Sequence, residues 1–174
     1  MAAETTPPSE TRFTLLDGAA LVMGSAVASV QLRPLAREGS STAGLIGASL
    51  VFAWLAATAT GPFVYLVRRF VRPTTGPSGI GERLWALLGT PWLLGAVFRS
   101  AGTQGGAEGV YPLVMAGSVA AASLIAFLTT WQTWVAASPE EASRVGAGAW
   151  PNRIGLVLAI AWPIQCGLAF VVLG

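Results

Sequence analysis

From Ala43 to Val67 the chain carries no charged residue over 25 positions, and from Val110 to Ala137 it carries none over a longer stretch still. As a helix rising about 1.5 Å per residue, the first of these runs is roughly 37 Å long, enough to cross a hydrocarbon core of about 30 Å with tilt. A helix of a water-soluble core alternates apolar and charged faces, and these runs do not. A bilayer is the solvent they fit. Composition points the same way: 53% of the residues are hydrophobic and 10% are charged, whereas a soluble domain carries roughly 25% charged residues to coat its surface.

The chain reads as an all-α, polytopic transmembrane helical bundle of five spans, at about 15–32, 43–67, 84–98, 110–137 and 154–174, behind a polar, disordered tail at 1–13. Thr14 and Asp17 fit a capping box at the start of the first span, so Asp17 is read as a cap near the interface. Ala26-Val27-Ala28 resembles a small-x-small cleavage site. No positive run precedes it, and the first span is expected to be retained. Leu84–Phe98 is short: its apolar positions give only about 22 Å of helix, bounded by Arg83 and Arg99, whose side chains are expected to snorkel outward. A re-entrant half-helix is the alternative there. Ser138-Pro139-Glu140-Glu141 predicts a short surface helix before the last span.

Orientation follows from arginine, which supplies every basic residue. Five spans put Arg12, Arg68, Arg69, Arg72, Arg83, Arg144 and Arg153 on one side, against Arg33, Arg37 and Arg99 on the other. Cytoplasmic loops carry the positive excess, which predicts a bacterial inner-membrane protein with its N-terminus in the cytoplasm. Trp85, Trp131, Trp134, Trp150 and Tyr65 then fall at the inner interface. The cluster Arg68, Arg69 and Arg72 is read as a topology signal, or as a site for acidic lipid headgroups. Nothing in the net charge of +2 requires nucleic acid.

The chemistry available is narrow. There is no histidine, and Cys166 is the single cysteine, which removes disulfides, Cys-based metal sites and the commonest general base. Apart from Asp17, the strongly polar candidates within the spans are Gln132 and Gln165, fewer than a pump or an intramembrane protease needs. Small residues recur every fourth position at Ala20, Gly24, Ala28; at Ser49, Ala53, Ala57, Gly61; and at Ser118, Ala122, Ala126, Thr130. Such seams let helices approach closely, although residues this abundant produce some of them by chance. Pro62, Pro91 and Pro163 interrupt three spans, and Trp54, Trp92 and Trp162 lie mid-span, two of them beside a proline. These indoles are the candidate wall of a pocket for a lipid, quinone or carotenoid.

The run Arg12-Phe13-Thr14-Leu15-Leu16-Asp17, leading into a small-residue-rich first span, resembles the start of uncharacterised multi-span membrane proteins of planctomycete-type bacteria. Gly81-Glu82-Arg83-Leu84-Trp85-Ala86-Leu87-Leu88-Gly89-Thr90-Pro91 is similar to the same group. The resemblance implies a multi-span fold and brings no activity, cofactor or ligand with it. From the small-residue seams, the short loops and the missing catalytic chemistry, the expected function is a non-catalytic accessory or scaffolding subunit with lipids and other membrane subunits as partners. A small transporter or channel and a binder of a hydrophobic cofactor are the alternatives.

Overall fold

A computed structural model describes residues 13–33, 42–71, 78–102, 110–136 and 149–173, with no strand among them. Five helices follow one another: α1 at Leu15–Leu32, α2 at Thr42–Leu66 continued by a π-helical turn at Val67–Val71, α3 at Ile80–Gly102, α4 at Tyr111–Ala136 and α5 at Trp150–Leu173. Residues 1–12, Arg72, and the surface helix expected at Ser138–Glu141 lie outside the described residues.

Local chemistry sets the start of α1. Thr14 is extended (φ −117°, ψ 165°); its hydroxyl accepts from the Asp17 backbone N–H at 3.4 Å, and the Asp17 carboxylate accepts from the Thr14 N–H at 2.8 Å. The capping box is formed. Within α2, Pro62 has no N–H to donate, so the carbonyl one turn back, that of Thr58, loses its helical partner. Serine and threonine hydroxyls along the helices donate back to the carbonyl four residues earlier, as Thr58 does to Trp54 and Thr60 to Ala56, which satisfies them without a partner helix.

The third segment differs from expectation. In place of a short span at Leu84–Phe98 there is a helix of 23 residues, about 34 Å long. Gly81, Glu82 and Arg83 extend it at one end and Arg99 to Gly102 at the other. Polar residues continue a helix as readily as apolar ones, so an apolar count underestimates its length. Of the five expected spans, three are long and apolar enough to cross a membrane among the described residues: Leu15–Leu32, Gly44–Val71 and Tyr111–Gln132.

Contacts fix the direction of each helix. The starts of α1 and α5 meet the end of α2 through Asp17 and Trp150 with Arg68, and the start of α3 meets that of α5 through Gly81 with Asn152 and Trp85 with Trp150. At the opposite end, Gln31 of α1 and Arg99 of α3 meet Tyr111, the first residue of α4. The helices therefore alternate in direction. The third helix is the axis, packing against each of the other four, with Leu84 and Leu88 sealed against Ala126 and Trp162.

Small residues set the closest approaches. Ala20, Gly24 and Ala28 form one buried line on α1, and a Cβ on Gly24 would meet the Thr60 hydroxyl and lie 2.8 Å from the Ala56 carbonyl of α2. Gly81 and Gly155 likewise bring the backbones of α3 and α5 together. The seam expected on α2 does not hold as one face. Ser49 and Ala53 are exposed, Ala57 is half-buried, and Gly61 is buried against Trp85. At 3.6 residues per turn, positions four apart drift by about 40° per step, so Ser49 and Gly61 point about 120° apart. The same drift leaves Ala122 and Ala126 buried on α4 while Ser118 and Thr130 are half-buried.

Gly24→Leu is expected to destabilise the protein by about 1–3 kcal/mol through overpacking, read as earlier thermal unfolding in detergent. Gly117→Ala, where an added Cβ meets nothing within 4 Å, is expected to change stability by less than about 1 kcal/mol.

Candidate functional site

Three side-chain clusters lie along the bundle. At the charged end, Asp17 is buried with 2% of its side chain exposed, and its Oδ1 lies 3.7 Å from Arg68 Nε. The Arg68 guanidinium stands 5.4 Å from the centre of the Trp150 ring, and that ring packs on Phe13 and Trp85. Two readings of the sequence change here. Arg68 turns inward to an acid and an indole instead of outward to headgroups, because the π turn carries α2 past Val67 and alongside the start of α1; Arg69 remains exposed. Asp17 is both cap and counter-ion. Glu82, which precedes the apolar stretch of α3, is half-buried; burial pushes its carboxyl above the ordinary value, and the charges of Arg68 and Arg83 pull it back.

Trp85, expected at an interface, faces the neighbouring helices. It is buried, and its N–H donates to the Ala57 carbonyl at 2.8 Å, next to the turn that Pro62 disturbs. Asn152 closes this end by accepting from the Gly81 N–H at 2.8 Å, one of the donors left free in the first turn of α3.

The second cluster centres on Gln31, which is buried. Its amide N–H donates to the Trp92 carbonyl at 3.0 Å, and its side-chain oxygen accepts from the Tyr111 hydroxyl at 2.5 Å. Arg99 donates to the Gln31 backbone carbonyl at 2.6 Å and lies over the Tyr111 ring, 4.4 Å from its centre. A cation is favoured where a helix ends in free carbonyls. Arg99 thus caps α1 from a neighbouring helix, where snorkelling was expected.

The third cluster is aromatic. Trp54, Trp92 and Trp162, from α2, α3 and α5, meet edge to face with ring centres 5.6, 6.2 and 6.3 Å apart, a geometry that stabilises each pair by about 0.5–1.5 kcal/mol beyond burial. Trp162 donates to the Ser123 hydroxyl of α4 at 2.9 Å. The three indoles singled out in the sequence therefore form one cluster.

The other candidates are dispersed. Gln132 is exposed on α4, and Trp131 is exposed and stacked on Phe127. The side chains of Trp134, Gln165 and Cys166 lie outside the described residues. Gln31, Asn152 and Tyr111 were not singled out by the sequence. Gln31 did leave a signal, as an amide inside an apolar run, where a polar side chain needs a partner. Among the described residues no group of three or more His, Cys, Asp or Glu side chains is placed to hold a metal ion.

Comparison with protein-family models, with curated proteins and with solved structures gives no match to this chain.

Asp17→Ala is expected to cost about 3 kcal/mol, since it removes a cap and leaves Arg68 without its counter-ion. Arg68→Ala is expected to cost less, because Thr14 still donates to the carboxylate. A double-mutant cycle on detergent unfolding should return a coupling of about 1 kcal/mol or more; strict additivity would mean that the pair contributes nothing.

Proposed function

We propose that this chain is a non-catalytic integral membrane protein of five spans that serves as an accessory or scaffolding subunit of a larger membrane assembly. The observation that carries the reading is how its buried Asp, Gln, Asn and Thr side chains are engaged. Asp17, Gln31, Asn152, Thr58 and Thr60 each cap a helix, tie two helices together or bond back to their own helix. Held in this way they serve architecture.

Five crossings are supported by the alternation of the helices. With α2 and α4 crossing, α3 runs antiparallel beside both and joins the end of one to the start of the other, so its apolar stretch 84–98 lies at the same depth. The arginine count then favours a cytoplasmic N-terminus in a bacterial inner membrane, with seven arginines inside and three outside. The charged end of the bundle, with Asp17, Arg68, Arg69 and Glu82, is the cytoplasmic end on this reading.

A partner-facing role is supported by α4. Over an 18-residue stretch within Tyr111–Gln132 only 6% is buried in the fold, against 44% over one within Gly44–Val71. Its outward side mixes bulky Leu113, Leu124 and Phe127 with Gly117, which faces open space. Small residues at such positions let a second helix approach closely. The transporter alternative loses one of its supports, since Gln132 faces away from the bundle.

Purified in mild detergent, the protein is expected to elute with another membrane chain at fixed stoichiometry. Gly117→Leu is expected to keep the helical content by circular dichroism and to lower that stoichiometry several-fold. Elution of the wild type as a lone monomer, under conditions that keep other membrane complexes whole, would overturn the reading.

A further inference from the structure

The three clustered indoles sit halfway along their helices: Trp54 is the central residue of α2, and Trp92 and Trp162 stand beside the centres of α3 and α5. In a membrane, tryptophan belongs at the two interfaces, where its N–H finds water or a headgroup. At mid-depth neither is at hand, and every donor must find an acceptor inside the structure. Trp162 finds Ser123. Trp54 Nε1 and Trp92 Nε1 are buried and have no hydrogen-bond partner. More than nine in ten buried polar groups are paired in folded proteins, so two unpaired donors in one aromatic cluster indicate an acceptor from outside the chain. Arg68 Nε and Trp150 Nε1 also lack a hydrogen-bond partner, but they lie at the charged end of the bundle, away from mid-depth, and Arg68 has Asp17 as its counter-ion.

We infer that the Trp54–Trp92–Trp162 cluster binds an apolar, planar molecule carrying a carbonyl group, of the quinone class, whose oxygen accepts from the indole N–H of Trp54 or Trp92. The chemistry narrows the choice. A hydrocarbon chain or an unsubstituted carotenoid offers no acceptor. A lipid ester does, but its carbonyls lie at headgroup level, about half of a roughly 30 Å core away from the centre. A free ring carbonyl reaches mid-depth, and its flat ring matches the indole faces. Trp54 and Trp92 are half-buried with their N–H groups covered, and Trp162 is sealed, so an indole turns outward for a carbonyl to reach its N–H. Gln31, by donating to the Trp92 carbonyl, fixes the height of that indole against α1. The inference rests on the bilayer reading and is independent of the accessory role.

The test is 1H–15N spectroscopy of the full chain, labelled at its indole nitrogens, in nanodiscs of ether-linked phosphatidylcholine, which has no ester carbonyl. Trp54→Phe and Trp92→Phe assign the two signals, and each keeps an aromatic ring in the cluster. Addition of a decyl-substituted benzoquinone is expected to shift the Trp54 or Trp92 N–H downfield and to saturate, while decylbenzene leaves both in place and the exposed Trp131 follows neither. Quinone retained through purification should fall at least tenfold in the double variant at unchanged helical content; if that variant fails to fold, the titration of the wild type decides. No movement up to the solubility limit, or equal movement with decylbenzene, would overturn the inference. So would magnetisation transfer from water to both indole protons with no response to quinone, since water would then be the acceptor. A shift produced by ester-linked lipid alone, with none added by quinone, would give the site to lipid and overturn the assignment of a free molecule.

Discussion

The arrangement of the helices depends on α1 being held at both ends by polar side chains from other helices. At its start Asp17 meets Arg68 from the end of α2; at its finish Gln31 meets Arg99 of α3 and Tyr111 of α4. Between them Gly24 lets the backbones of α1 and α2 close up at Ala56 and Thr60. Apolar side chains alone would leave such helices free to slide, because hydrocarbon solvent gives no drive to bury one more leucine. Charged and amide groups that must be paired permit only one register.

The axial helix carries the consequence. Its first turn is joined to α5 by Asn152 and by the Gly81–Gly155 approach, its middle to the indole cluster, and its last turn to α1 through Arg99. It is also the helix whose apolar stretch is least like a span. Its polar ends shorten the hydrophobic run and at the same time supply the groups that join it to its neighbours.

What the sequence discloses follows the range of each interaction. The capping box of Thr14 and Asp17 spans four residues, and α1 has the bounds its apolar run suggests. The small-residue line of α1 also follows from local pattern, since it is short enough for helical drift to leave it on one face. The line on α2 is longer, and the drift separates Ser49 from Gly61. The pairing of Asp17 with Arg68 and of Gln31 with Arg99 depends on which helices become neighbours, which no local pattern encodes. Trp54, Trp92 and Trp162 are an intermediate case. Each lies near mid-span in the sequence, so once their helices are neighbours the indoles stand at the same depth.

The buried pair of Asp17 and Arg68 also bears on how the molecule is assembled. Synthesis runs from α1 towards α5, so α1 enters the membrane with a carboxylate whose counter-ion lies beyond the far end of the next helix. Until α2 is complete, that carboxylate has only the Thr14 cap as its partner. The ion pair therefore forms only when the two helices close as a hairpin. Gln31 waits longer, for α3 to bring Arg99 and α4 to bring Tyr111. Of these helices, α1 is the first to be made and among the last to be satisfied, so loss of a later helix would expose its faults in an earlier one.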